Sequence, residues 1–243
     1  MEMMNLQDFS RILLDSCAKN NISPLSEEQI KTFWHFTEHL MTVNETTNLT
    51  AIRNIPDVIT KHYVDSLTVS AMIPEGARVL DLGCGPGFPS IPLAIARPDL
   101  TICALDSTDK KIRFLNESAE LLELSNLKGY SGRAEDTKIR STLKQFDVVV
   151  SRAVARMNVL SELCMPYVKI SGKLIAMKGS KGDEELTEAQ NAIKILGGTA
   201  KNHSFDLITD ESAEGRCLIE VSKIKETLSV YPRQYSAIVK KPL

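Results

Sequence analysis

The chain has 243 residues, a formal net charge of −2, 43% hydrophobic and 25% charged residues. This is the composition expected of a soluble globular protein with one domain, or one domain and a short extension, able to bury most of its apolar surface without disulfide or metal staples. It excludes the disordered, collagen-like and coiled-coil classes, and the longest charge-free stretch near the middle, Leu82 to Ala96, holds three glycines and three prolines and so cannot be a spanning helix.

In chain order, Leu6, Phe9, Leu13 and Cys17 form one helical stripe. The first twenty residues also carry Glu2, Asp8, Arg11, Asp15 and Lys19, so they hold no signal-peptide apolar core and a cytoplasmic protein is expected. Ser26 to Gln29 reads as a capping box opening a helix with the stripe Ile30, Phe33, Trp34, Thr37, Leu40 and Met41. Pro56, in a first helical turn, starts a third helix reaching to about Met72. Beyond Gly76 the pattern alternates. Strands are expected at 78–82, 101–106, 146–151 and 173–177, with two more near 200–208 and 216–223. Helices are expected after the first strand and at 110–123, 158–168 and 183–196. A short strand is expected before Gly132. Such alternation specifies an α/β fold, a doubly wound parallel sheet with helices on both faces. The expected organisation is an N-terminal helical cap (1–74), a core (75–225) and a basic tail (226–243) in one structural unit. The five cysteines (17, 84, 103, 164, 217) form no CxxC pair, which argues against zinc and suits a reducing compartment.

The sharpest signal is Val79-Leu-Asp81-Leu-Gly83-Cys-Gly85-Pro-Gly87-Phe88, a strand running into three alternate glycines and then a helix. Glycines there permit a tight turn and close approach of a ligand at the carboxyl end of the strand. A dinucleotide fingerprint would place a glycine at 88, where this chain has Phe. Asp81, on the strand end, suits a ligand with a cationic amino-acid moiety rather than a pyrophosphate. Asp106, 23 residues after Gly83, ends the second strand, where a carboxylate can accept both ribose hydroxyls. Together these point to S-adenosylmethionine (SAM), with a Rossmann-like methyltransferase sheet as the fold and Asp81, Gly83, Gly85, Gly87 and Asp106 as cofactor-binding candidates. The Gly132 to Asp136 loop would flank the adenine.

The assembled segments resemble a known family, ribosomal RNA small subunit methyltransferase G, also called glucose-inhibited division protein B. They are Asn48 to Thr50, His62 to Ser66, Val79 to Pro92, Leu105 to Ser107, Lys111 to Leu115, Gly132 to Glu135, Ser151 to Arg156, Leu174 to Gly179, and the end from Tyr231 to Leu243. The resemblance covers nearly the whole chain. It implies SAM-dependent methylation of guanine N7 in the decoding-region loop of bacterial 16S rRNA, with Gly83, Phe88, Asp106, Ser107, Ala134, Glu135 and Arg152 as cofactor contacts. The tail departs from it: where the family often has a glycine and a proline after Pro-Arg, this chain reads Gln234-Tyr-Ser-Ala-Ile-Val239.

The residues agree with that chemistry. Guanine N7 offers an in-plane lone pair and no proton, so methyl transfer requires positioning and exclusion of water rather than a general base. At the end of the fourth strand stands Ser151-Arg152-Ala153-Val154, not the Asp/Asn-Pro-Pro-aromatic motif of amine methylation, and the chain has no Pro-Cys pair for attack at pyrimidine C5. Arg152 is the candidate catalytic residue, placed to hold the SAM carboxylate, a phosphate or guanine O6. His62 and Asp65, three apart on a helix, can pair; they close the substrate mouth or tie the cap to the sheet. Asn48 offers the same two roles. Arg156 and Lys178 are candidate phosphate contacts, in a stretch, 151–182, that holds six basic residues and one acidic. Expected partners are 16S rRNA or the small ribosomal subunit and no membrane, with the protein a monomer. A methyltransferase acting on a small molecule or protein, and a SAM-binding module without catalysis, are the competing readings. A nicotinamide dehydrogenase fails on the glycine spacing.

Overall fold

The computed structural model describes residues 4–243. Seven strands form one sheet in the order β3-β2-β1-β4-β5-β7-β6. β1 (Arg78–Leu82), β2 (Thr101–Asp106), β3 (Leu127–Ser131), β4 (Phe146–Arg152) and β5 (Val168–Gly179) are parallel. β7 (Ala213–Lys223) runs antiparallel to β5, and β6 (Gly198–Ile208) antiparallel to β7, so the sheet is mixed rather than parallel throughout as the alternation suggests; β6 and β7 follow each other with no helix between them to carry a parallel crossover. Because strand residues alternate between faces, Val79, Ile102, Val148 and Ile175 pack into one apolar layer while Leu80, Cys103, Val149 and Leu174 pack into the other. This explains the near-continuous apolar runs in the sequence: the parallel strands are covered on both sides.

The first layer is closed by the N-terminal helices and by the helices Ser90–Ala96 and Asp109–Leu121. The second is closed by Thr137–Leu143, Met157–Cys164, Gly182–Ile195 and the terminal helix Tyr235–Lys240, whose Ile238 is fully buried. In the cap, α1 (Leu6–Lys19) buries Phe9, Leu13 and Cys17 as its stripe dictates. α2 (Glu27–Thr47) begins with both halves of the capping box, Gln29 N–H on Ser26 Oγ and Ser26 N–H on Gln29 Oε1. It ends at Asn48, which takes a left-handed conformation (φ 49°).

Two helices differ from expectation. The third runs over 55–67, short of Met72, and its middle, Val58–Val64, is a π-helix. Wider turns of this kind shift the phase of the side chains that follow and occur often at functional sites. Here the π segment carries Lys61 and His62 and leads directly to Asp65. The expected helix over 158–168 stops at Cys164, because Pro166 has no N–H to continue the ladder; Val168 already belongs to β5.

Candidate active site

The parallel strand order reverses between β1 and β4, and a cavity of about 570 Å³ opens outside the carboxyl ends of those strands. The glycine turn forms its floor. Gly83, Gly85 and Gly87 have φ of 78°, 56° and 115°. A Cβ on Gly83 would overlap the Val154 side chain, whereas the space beside Gly85 is open. Asp106 braces the turn: Oδ2 accepts the Gly85 N–H (3.0 Å) and Oδ1 the Thr108 N–H (2.8 Å). Each oxygen keeps acceptor capacity toward the cavity.

Of the expected cofactor residues, Gly83, Gly85, Phe88, Asp106, Ser107, Ala134, Glu135 and Arg152 line this cavity. Asp81 and Gly87 do not; they lie beneath its wall. Asp81 is completely buried, with Oδ2 accepting the Ser90 N–H (3.0 Å) at the start of the next helix, while Oδ1 and the neighbouring Ser90 Oγ have no partner among the described residues. Burial raises the Asp81 carboxyl to about 7 against the pull of Ser90 and the Arg152 charge. Gly87 is set by its conformation and by the close approach of Ile91.

At the other end of the cavity is a polar cluster tying cap to sheet. Arg152, leaving β4, donates through Nη1 to the Lys61 carbonyl (3.0 Å) and to Asp65 Oδ2 (2.9 Å), and through Nη2 to His62 Nδ1 (3.3 Å). A guanidinium only donates, so His62 Nδ1 is the acceptor and its proton sits on Nε2, which donates to Thr50 Oγ1 (2.8 Å). The His62 ring stacks on Phe88 at 4.3 Å. Burial first, and the Arg152 charge second, lower its pKa to about 3, so His62 is neutral. Asp65 Oδ1 accepts from Arg216 Nε (3.1 Å), completing an Arg–carboxylate–Arg triad. The i,i+3 pairing of His62 with Asp65 does not form; both turn to Arg152.

A second cavity of about 590 Å³ shares His62, Arg152, Ala153 and Val154 with the first. Lys61, Lys178 and Arg216 lie on its walls with Asp65 and Glu185, among apolar side chains such as Phe205 and Met177. Lys178 is buried there, donating to Glu185 (2.8 Å) and to the Ala155 carbonyl. Arg156 lines neither cavity and is an exposed partner of Glu188. Asn48 likewise lies outside both; it ends α2 and accepts from Arg53 (3.3 Å). The substrate-side candidates are therefore split: His62 and Lys178 meet at the second cavity, Arg156 and Asn48 do not. Thr50, Arg216 and Tyr235 were not singled out in the sequence. Thr50 sits in the Asn48–Thr50 segment and could have been; Arg216, 151 residues from Asp65 along the chain, carried no local signal.

The rRNA small subunit methyltransferase G family model matches residues 29–211. The chain belongs to this family. Two relatives, each named Ribosomal RNA small subunit methyltransferase G, are 42% identical: one from Desulforamulus reducens over 96% of this chain and 98% of its own, one from Lactobacillus delbrueckii subsp. bulgaricus over 91% and 93%. Among solved structures, an O-methyltransferase from Bacillus cereus in complex with SAH has a TM-score of 0.57 at 16% identity, covering 90% of this chain and all of that one. TYW2 from M. jannaschii in complex with AdoMet has 0.53 at 15%, covering 66% and 75%. These likenesses concern the fold, which is that of the Rossmann-like methyltransferases. As a methyltransferase G family member the chain is a SAM-dependent rRNA methyltransferase, and its cavity suits SAM. Asp106 is free to accept from the ribose hydroxyls, Gly85 leaves the approach to the backbone open, and the unpartnered Asp81 Oδ1 below the floor favours a cation nearby.

Proposed function

We propose that the chain methylates N7 of a guanine in the decoding-region loop of 16S rRNA, by direct in-line transfer and without a general base. SAM supplies an electrophilic methyl group on a sulfonium. The observation that carries the reading is the junction of the two cavities at His62 and Arg152. The groups there that could remove a proton are already engaged: His62 Nδ1 accepts from Arg152, and Asp65 lies between two guanidinium groups. A nucleophile that carries no proton suits such a site. Arg152 presents a fixed cation at this junction, able to meet guanine O6 or the SAM carboxylate, while Asp65 would offset positive charge that develops on the methylated ring.

The A-form major groove is too deep and narrow for side chains to read N7 in a duplex, so the base enters from a loop or flips into the cavity. Lys61, Lys178 and Arg216 give the second cavity the positive wall that accompanies a phosphate backbone. The protein acts as a cytoplasmic monomer on the small subunit or its rRNA. The test uses methyl-labelled SAM with 30S subunits and naked 16S rRNA from cells lacking the activity, and 50S subunits and bulk tRNA as controls. Label found as 7-methylguanosine in a single small-subunit loop is expected. Label in another nucleoside, or in no RNA while SAM still binds, overturns the reading.

A further inference from the structure

The chain's final helix supplies a wall of the cofactor cavity. Tyr235 lines that cavity although it lies 72 residues beyond the next nearest lining residue in sequence, Leu163. Its position is fixed from both sides. Before it, Arg233 reaches the fully buried Glu162 with its backbone N–H (2.8 Å), Nε (2.8 Å) and Nη2 (2.6 Å). After it, Ile238 is fully buried in the same apolar layer as Leu163 and Ala134. Tyr235 therefore lines the cavity from the layer that holds Ala134 and Leu163, whereas His62 and Arg152 belong to the side shared with the second cavity.

Three aromatic rings line the cavity. Phe88 is buried with His62 stacked on it, so neither presents an unoccupied pair of faces. Tyr235 is 39% exposed, and among the described residues its hydroxyl has no hydrogen-bond partner and its ring no aromatic neighbour. Asp106, the expected ribose acceptor, lines the same cavity, so a heterocycle anchored by it packs either against His62 and Arg152 or against Ala134 and Tyr235. The first is crowded by the charged cluster around Arg152. The second carries the Arg133–Glu135 pair as well, but offers Ala134, Leu163 and a free aromatic face.

We propose that Tyr235 is a cofactor-positioning residue, its ring packing on the adenine of SAM and closing that side of the cavity. The tail of this chain thereby serves the cofactor rather than the RNA. The tests are calorimetric affinities for S-adenosylhomocysteine and for 5′-methylthioadenosine, which keeps the adenine and ribose and lacks the amino-acid end. Tyr235→Ala should weaken both by about tenfold, as loss of one base–aromatic stack does, and Tyr235→Phe should restore both. Tyr235→Leu, which keeps apolar bulk without an aromatic face, should stay weak, and the unfolding midpoint of all three should follow the parent because Arg233 and Ile238 are untouched. Unchanged affinity for both ligands in Tyr235→Ala, with the KM for RNA raised instead, would place the ring against the RNA and overturn the proposal. A loss seen with S-adenosylhomocysteine but not with methylthioadenosine would place it at the amino-acid end and overturn it equally.

Discussion

His62 shows how one side chain can serve a site without titrating in it. Its ordinary pKa of 6.5 falls to about 3 because the ring is buried and faces the Arg152 charge. The unfolded chain takes up a proton below about 6.5 and the folded protein does not until about 3, so this residue's contribution to stability is complete above 6.5 and is lost as pH falls through that interval. A His62→Gln variant should therefore show a flatter fall of melting temperature than the parent between pH 7 and pH 4; parallel curves would mean that His62 is readily protonated in the fold. Asp81 has the opposite sign. Its ordinary 3.8 rises to about 7 on burial, so the unfolded chain ionises first and stability falls as pH rises from 3.8 to 7. Asp81→Asn should be more stable than the parent at pH 8, with the difference shrinking toward pH 4, and should bind SAM more weakly if the carboxylate meets the cofactor's ammonium. Stabilisation without loss of affinity would leave Asp81 with only its role of holding the Ser90 N–H. For Arg152, which serves three acceptors at once, Arg152→Ala should reduce turnover by about a hundredfold through misplacement of the reacting groups. Unchanged SAM affinity and unchanged turnover together would remove Arg152 from the mechanism.

Among the elements, the terminal segment is anchored by a buried ion pair as well as by Ile238. Glu162 is fully buried in the helix Met157–Cys164 and has Arg233 as its charge partner. Removing the arginine strands a carboxylate, which typically costs about 3 kcal/mol, so Arg233→Ala should lower the urea midpoint substantially and also weaken S-adenosylhomocysteine binding by releasing Tyr235. A midpoint equal to the parent's would show that the fold does not depend on this pair. This part of the molecule was poorly legible in the sequence, for a physical reason. The strands and the glycine turn follow from local periodicity and conformation, so β1, β2 and the turn between them could be read directly, and with them Gly83, Gly85, Asp106 and the loop carrying Glu135. Side chains that act by reaching across the fold leave no such pattern. Arg216, the choice of Arg152 and Arg216 rather than His62 as partners of Asp65, and the π-helix carrying Lys61 and His62 are products of tertiary packing, as is the demotion of Arg156 to an exposed ion pair. Asp81 reads in the sequence as a cofactor-binding residue, but the periodicity of β1 could not say that its side chain is completely buried and outside the cavity lining.

At the scale of the molecule, cap and core share one apolar layer. Phe36 and Tyr63 from the cap lie 5.9 and 6.2 Å from Phe88 of the glycine turn, and the Tyr63 hydroxyl is joined to Thr37 at 2.8 Å. Gln29 donates to the Ile95 and Ala96 carbonyls, capping the end of a core helix from the cap side, while the Asn20 side chain pairs with both backbone groups of Ile208 at the sheet's far edge. One apolar layer, from Phe9 through Phe33 to Val148 and Ile175, therefore crosses the 74/75 boundary. A chain of this kind should unfold in one transition, with calorimetric and van't Hoff enthalpies equal. A fragment of residues 75–243 should fail to fold, because Phe88, Ile91 and Phe114 would face water where the cap now covers them. The decisive measurement is the near-ultraviolet dichroism and S-adenosylhomocysteine affinity of that fragment beside the whole chain. Loss of both is expected, since the cap also supplies Thr50 and His62 to the cavity. A fragment that keeps fixed tertiary structure but loses the cofactor would make the cap a separate unit added to a self-sufficient sheet; one that keeps both would leave His62 and its stack on Phe88 dispensable for cofactor binding.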